Sequence, residues 1–363
     1  MYFREVTSLG RGVSARSQAQ EIRTDQAFLG CERLDIVFSA VPLTEKALIS
    51  RIRRRARVGS GVVAGIGDDC GVLAISPRHQ LLVTTDFTLE GVHFRREWYP
   101  PAVVGRRCLT RGLSDIAAMG GDPLAAFLSL AFPRSLPQTW VDGFLQGLLR
   151  LAGEFRVTLA GGDTAESPDG VLADIMVVGS VPVGEAILRS GARPGDQIYV
   201  TGQLGGSSAA LEELSARRRI RPLDYPQLFR PVPRVVVGRL LRQKELASAM
   251  IDLSDGLSTD LAHICAASGV GARILAASIP RAVVGRASIR VDLRKSLHGG
   301  EDYELLFTAP RAKRVPLRIA GVPVSPIGQV TRDQRVLLID EKGVETRLDP
   351  QGWQHFGDSS PAR

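Results

Sequence analysis

The sequence predicts a mixed α/β protein built as two α/β sandwich domains, and three observations lead there. The 363 residues amount to about two domains at ~150 residues each. Short apolar runs ending in Gly or Asp alternate with longer runs of helical period, with few long βαβ units among them. The pattern then restarts: after the turn residues Gly191, Pro194 and Gly195, Gln197–Thr201 (QIYVT) opens a new strand-first unit. The division is placed near Gly184, giving an N-terminal domain over 42–184, a C-terminal domain over 185–350 and a tail over 351–363. Residues 1–41 have weak periodicity and read as a disordered extension from an over-long start.

In chain order, Leu43–Arg57 carries Leu43, Leu48, Ile49 and Ile52 at helical spacing, with Thr44 as N-cap. Its five Arg between Arg51 and Arg57 suit the C-terminal end of a helix dipole. Leu81–Thr85 is a short buried strand ending at Asp86. Ala102–Met119 is a helix apolar on one face that carries Ser114 and Asp115. Pro123–Phe132 is a strand after a Gly-Gly-Asp-Pro turn. Trp140–Phe155 is a helix, Val157–Leu159 a strand leading into Gly161-Gly162-Asp163, and Ala173–Val181 a further strand. Beyond Gln197–Thr201 come helices Ser207–Leu214, Arg234–Leu246 and Leu257–Ser268, a loop over Ile251–Gly256, and a strand over Tyr303–Ala309. No repeat of roughly 20–50 residues argues for a solenoid.

Composition narrows the function classes. At 44% hydrophobic and 23% charged, the chain reads as globular rather than disordered. No apolar run reaches the ~18 residues of a membrane span, and the first residues lack a secretory h-region. The formal charge of +8, from 46 Lys and Arg against 38 Asp and Glu, raises a nucleic-acid partner as a competing class. The Arg are dispersed, however, and no aromatic residues interleave with the basic run. Cys31, Cys70, Cys108 and Cys265 form no CxxC pair, so reduced thiols in a cytoplasmic protein are expected.

The chemistry sits in segments that share one grammar, an Asp or Glu beside Gly or Ser just beyond an apolar run. They are GIGDDC (Gly65–Cys70), TTDFTLEGVHF (Thr84–Phe94), LSDIAAMGGDP (Leu113–Pro123), AGGDTAES (Ala160–Ser167), IDLSDGLSTD (Ile251–Asp260) and HGGEDYEL (His298–Leu305). Any one of them alone is more often a turn or a helix cap than a ligand. Together, Asp69, Asp86, Asp115, Asp163, Asp252 and Asp255 would repel one another in a common site unless cations neutralised them. Mg2+ suits such a set, because it takes carboxylate oxygens and shares substrate phosphates, while glycine lets backbone N–H groups reach phosphate. No GxxxxGK[ST], kinase HRD…DFG, HExxH or GxSxG occurs. His93, Arg189 and Trp353 each have an ordinary structural reading beside a functional one.

GIGDD, TTD…GVHF, GLSDIAAMG, GGDT, RSGARPGD, IDLSDGL, GGEDYEL and the terminal GWQHF, in this order over roughly Leu43–Phe356, resemble the thiamine-monophosphate kinase family. Its superfamily includes aminoimidazole ribonucleotide synthetase, selenophosphate synthetase and the hydrogenase maturation dehydratase. The resemblance implies ATP-dependent conversion of thiamine monophosphate to thiamine diphosphate. It also implies a homodimer whose N-terminal domains pair into a shared β-barrel, and a site between the domains that holds several Mg2+. Carried over residue by residue, it assigns Asp69, Thr84, Thr85, Asp86, Asp115, Asp163, Asp252 and Asp255 to metal. Gly162, Asp163, Arg189 and Ser254 go to ATP, and His93, Glu301 and Trp353 to thiamine phosphate, with no catalytic side chain. Gly112 stands where Asn is commoner in the family. The alternative is another ATP-using member of the superfamily; Cys31, in FLGCER, lacks the Gly-rich setting of the selenophosphate synthetase thiol.

Overall fold

The computed structural model describes residues 51–57, 59, 62–64, 72–73 and 76–353. Of the helix expected over Leu43–Arg57, residues 51–55 are described and are helical. Thr44, Cys31, and the whole Gly65–Cys70 segment with Asp69 lie outside the described residues.

In the first half, β1 (Val62–Ala64) and β2 (Val72–Leu73) form a two-stranded ribbon. Then β3 (His79–Leu89), β4 (Asp122–Phe132), β5 (Thr158–Glu166) and β6 (Leu172–Pro182) form a four-stranded sheet in the order β3-β6-β4-β5. Helices α1 (Pro101–Ala118) and α2 (Gln138–Phe155) pack on each other, and α1 packs on β3 and β6. Pro101 opens α1 at a position where a missing N–H costs nothing and a fixed φ helps. β4 and β5 pair in parallel, so a crossover is required, and α2 supplies it.

The second half builds a larger mixed sheet from β7 (Gln197–Thr201), β8 (Ala249–Asp252), β9 (Gly271–Leu275), β12 (Leu305–Ala309), β14 (Val322–Thr331), β15 (Val336–Ile339) and β16 (Glu345–Arg347). Their order is β16-β15-β9-β14-β7-β12-β8, with β13 (Arg318–Ile319) paired to β14. β10 (Val283–Val284) and β11 (Ile289–Arg290) make a separate ribbon. The helices here are α3 (Gly206–Ser215), α4 (Pro226–Phe229), α5 (Val235–Gln243), α6 (Leu257–Ser268) and α7 (Leu293–His298). Helix α6 packs on β8, β9 and β12 and ends at Gly269, whose φ of 66° is the left-handed cap that glycine adopts without cost.

Helix α1 joins the two halves. It touches β3, β6 and α2 on one side and α5 and β8 on the other, so even its polar residues Arg106, Arg107, Thr110 and Ser114 are buried. Their donors must then be satisfied inside the protein. Arg106 Nε donates to the Pro231 carbonyl at 3.2 Å, Arg107 Nη1 to the Leu228 carbonyl at 2.8 Å, and Ser114 Oγ to Asp252 Oδ2 at 2.7 Å.

Several sequence-based expectations change here. The strand expected to end at Asp86 runs on to Leu89, so Asp86 is mid-strand. Gly161–Asp163 is no turn but the middle of β5, because β4 pairs with it beyond a bulge at Ala160. The Ile251–Gly256 loop begins as strand β8. β14 was unforeseen: its Pro323 and Pro326 argue against a central strand, and the sheet accepts Pro326 through a register shift before Gly328. No closed barrel is formed among the described strands, and no described helix is long and apolar enough to cross a membrane. Cys108 and Cys265 are free and buried, and burial pushes both thiols up to about 12.

The α1–α2 contact depends on two glycines. A Cβ on Gly105 would lie 1.9 Å from the Phe144 carbonyl oxygen, and one on Gly147 would lie 1.8 Å from that of Ala102. Alanine gains ~1 kcal/mol over glycine in a helix interior, but overpacking against a backbone carbonyl costs about 1–3 kcal/mol. Gly105→Ala is therefore expected to lower the urea midpoint; an unchanged or higher midpoint would show that the helices can separate freely.

Candidate active site

Where the halves meet, a cleft of about 670 Å³ is lined by Asp86, His93, Arg111, Asp115, Arg189, Asp252, Ser254, Asp255, Glu301 and Trp353, among others. Each position follows from local structure. Inward and outward side chains alternate along β3, so Thr84 and Asp86 share the face toward α1. Thr84 Oγ1 donates to Asp115 Oδ2, pinning the helix carboxylate against the strand. Asp252 ends β8 and accepts from Ser114. Asp260, one turn into α6, accepts from the Asp255 and Gly256 N–H groups at 3.2 and 3.0 Å and fixes the loop that presents Ser254 and Asp255.

The electrostatics are those of crowded carboxylates. Burial, and then the neighbouring Asp115 charge, raise Asp86 to about 7; the same two causes in the same order raise Asp252 to about 7. Burial also raises Asp115 against the opposing Thr84 hydrogen bond. Asp260 is raised to about 8, chiefly by burial. Glu301 behaves in the opposite way. Burial pushes it up, but Arg107 and Arg111 outweigh that and hold it below the usual carboxylate range.

Among the described residues no three His, Cys, Asp or Glu side chains are already gathered as ligands around one point. A cation here would be held by one or two carboxylates at a time, completed by water and by phosphate oxygens, which is the habit of Mg2+ rather than of Zn2+. The all-oxygen, mutually repelling donor set of Asp86, Asp115, Asp252 and Asp255 fits that ion.

The sequence-selected residues divide. Asp86, Asp115, Asp252, Asp255, Arg189, Ser254, His93, Glu301 and Trp353 all line the one cleft. The Thr85 side chain is exposed on the outer face of the sheet, so only its main chain could serve the same point as Thr84. Gly162 and Asp163 are elsewhere. The row Asp86–Ile175–Leu128–Gly162 crosses the sheet, which puts Gly162 three strand spacings, about 14 Å, from Asp86. A Cβ on Gly162 would meet the Leu128 carbonyl oxygen at 1.9 Å, a packing reason for glycine there. Asp163 is exposed and accepts from the Thr164 N–H.

Sequence reasoning missed Arg111, His298, Trp98 and Tyr303, which also line the cleft. It also missed how the tail is held. Gln351 and Gly352 N–H groups donate to Ser258 Oγ and Thr259 Oγ1 at 3.4 and 3.1 Å, and Trp353 N–H donates to the Asp255 carbonyl at 3.1 Å. A Cβ on Gly352 would lie 2.0 Å from that same carbonyl oxygen, so only glycine lets the tail approach so closely. Ser258 also bonds His298 Nδ1 at 2.8 Å.

The raised carboxylates predict how stability depends on pH without metal. A carboxylate whose folded pKa is raised binds more protons folded than unfolded, so stability is lost as pH climbs from the unfolded value near ~4 through the folded value, about 7 for Asp86 and Asp252. Metal-free protein should therefore melt at a lower temperature at pH 8 than at pH 6, and added Mg2+ should raise the midpoint more at pH 8. Equal stabilisation by Mg2+ at the two values would count against a carboxylate-held cation.

Comparison with known proteins fits this architecture. The AIR synthase related protein N-terminal domain matches residues 67–181, and the corresponding C-terminal domain matches residues 193–341. Thiamine-monophosphate kinase of Escherichia coli K12 is 41% identical over 324 residues, 86% of this chain and 98% of that one. A crystal structure of thiamine-monophosphate kinase from Stenotrophomonas maltophilia superposes with a TM-score of 0.70 at 35% identity, covering 82% of this chain and 96% of that one. A structure of AaThiL complexed with AMPPCP and TMP superposes with a TM-score of 0.69 at 30% identity, covering 86% and 97%. With that identity sustained along nearly the whole of the relative's length, the chain belongs to the thiamine-monophosphate kinase family.

Proposed function

We propose that the chain transfers the γ-phosphoryl group of ATP to the phosphate of thiamine monophosphate, giving thiamine diphosphate and ADP. The observation that carries the reading is the single cleft into which both halves of the chain send carboxylates, with Arg189 and Trp353 at its walls. Another ATP-using enzyme of the superfamily is less well supported, because the curated relatives at 40–41% identity are thiamine-monophosphate kinases.

In this reading Asp86, Asp115, Asp252 and Asp255, with Thr84, hold the Mg2+ ions. The ions supply charge neutralisation and alignment of phosphate oxygens, the main demand of phosphoryl transfer. The acceptor oxygen is anionic at neutral pH, so no side chain need remove a proton from it. The chain's own work is placement. Arg189 offsets charge on the nucleotide phosphates, as its field on Asp115 and Asp252 already indicates. Ser254 faces the nucleotide, His93 and Glu301 face the acceptor, and Trp353 offers an apolar plane to its rings. The assignment of Asp69, Thr85, Gly162 and Asp163 rests on the motif resemblance and not on the geometry of the cleft. The same reading divides the chain near Gly184, into 42–184 and 185–350.

A homodimer belongs to the proposal as well. β3 is an edge strand of the four-stranded sheet, and its outward residues Leu81, Val83 and Phe87 are 43%, 57% and 54% exposed, beside Met176 on β6. An apolar row on an open sheet edge is a surface that a second copy would cover.

Purified protein with ATP, Mg2+ and thiamine monophosphate should yield thiamine diphosphate, and absence of product with ATP consumed on another phosphoacceptor would favour the superfamily alternative. Trp353→Ala should raise KM for thiamine monophosphate about tenfold, roughly the 1.4 kcal/mol of a lost aromatic contact; a change confined to KM for ATP would reject the assignment. Val83→Asp should convert a dimer to a monomer in sedimentation, and a dimer that persists would place the interface elsewhere.

A further inference from the structure

Arg111 is a cleft residue that the proposed mechanism does not yet use. Its side chain is 14% exposed and lines the cleft beside Asp86, Asp115 and Glu301. Its Nη2 donates to Glu301 Oε1 at 2.8 Å, and its Nη1 stands 4.0 Å from Asp86 Oδ1. The guanidinium thus lies between the strand carboxylate assigned to a cation and the residue assigned to the acceptor.

Glu301 has little charge left to offer a ligand. One oxygen takes Arg111, and the other lies 2.5 Å from Arg107 Nη2, close enough for an ion pair although not aligned as a hydrogen bond. Arg107 is buried and has its Nη1 committed to the Leu228 carbonyl, so it anchors Glu301 from below. Glu301 is also fixed through its backbone: its φ is +64°, and its N–H donates to the Ser254 carbonyl at 2.7 Å. A carboxylate gripped by two guanidiniums and tied to a loop is suited to holding an arginine still.

The acceptor needs such an arginine. Its phosphate must meet the nucleotide's phosphates beside Asp86 and Asp115, and two anions brought that close repel each other. Of the other arginines around the cleft, Arg189 acts on Asp115 and Asp252, and Arg95 is stacked over the Trp98 ring at 4.9 Å. Arg111 is the cation at the Asp86 end, and a planar guanidinium matches two phosphate oxygens at once.

We propose that Arg111 binds the phosphate of thiamine monophosphate beside Asp86, and that Glu301 and Arg107 are positioning residues that aim it. This deepens the kinase reading and rests on it. The test compares acceptor with and without its phosphate. In Arg111→Gln, KM for thiamine monophosphate should rise at least ~10-fold, while KM for ATP and the inhibition constant of unphosphorylated thiamine stay within about twofold. Arg111→Lys, which keeps the charge but not the fork, should recover part of the loss and serves as the test variant if the glutamine protein does not fold.

Parallel weakening of thiamine monophosphate and thiamine would overturn the proposal, because Arg111 would then act only as scaffold for the ring site. Unchanged binding of both would overturn it too. Failure of the kinase reading looks different: the unsubstituted protein would then make no thiamine diphosphate at all.

Discussion

Burial of a charged helix is the constraint on which the rest of the molecule depends. α1 lies between the four-stranded sheet and the second half of the chain, and its Arg106, Arg107 and Ser114 find partners more than a hundred residues away at Pro231, Leu228 and Asp252. These bonds tie α1 to the second half, and separating the halves would break them together with the apolar contacts around them. The same helix carries Asp115 and Arg111 into the cleft. The contacts that fasten the halves therefore also fix the distance between the strand carboxylate Asp86 and the β8 carboxylate Asp252.

The cleft holds opposite charge in two unlike ways. Burial raises the proton affinity of Asp86, Asp115 and Asp252, and the Asp115 charge adds to the rise at Asp86 and Asp252, so the three remain ready for a cation. Glu301 is kept ionised by Arg107 and Arg111. Two carboxylate environments within one cavity, one in which burial outweighs the nearby arginines and one in which two arginines outweigh burial, separate the region suited to metal from the region that arranges side chains. Thiamine-monophosphate kinase relatives that match nearly end to end agree with a chemistry in which alignment of two anions is the main task.

What the sequence revealed, and what it hid, follows from how local each signal is. Helix Leu257–Ser268 and strand Gln197–Thr201 were readable to the residue, because a glycine cap and a turn cluster bracket them. Asp115 and Asp255 stood out because they adjoin serine or glycine beside apolar runs, and Asp86 and Asp252 because each closes a short apolar run. Gly162 and Asp163 carried the same local signature, yet β5 extends through them because a neighbouring strand was there to pair, a fact that no window of sequence contains. Arg111 was hidden for the opposite reason: it sits in a regular helix, and its partner Glu301 is 190 positions away. Strand β14 was hidden by its prolines, which a register shift accommodates.

The strap that carries Trp353 has a bearing on proteolysis. Backbone bonds from 351–353 to Ser258, Thr259 and Asp255 mean that one wall of the cavity is fastened by a few main-chain contacts to α6 and the loop before it. A single cut between β16 and this strap would leave both sheets standing while loosening the aromatic wall.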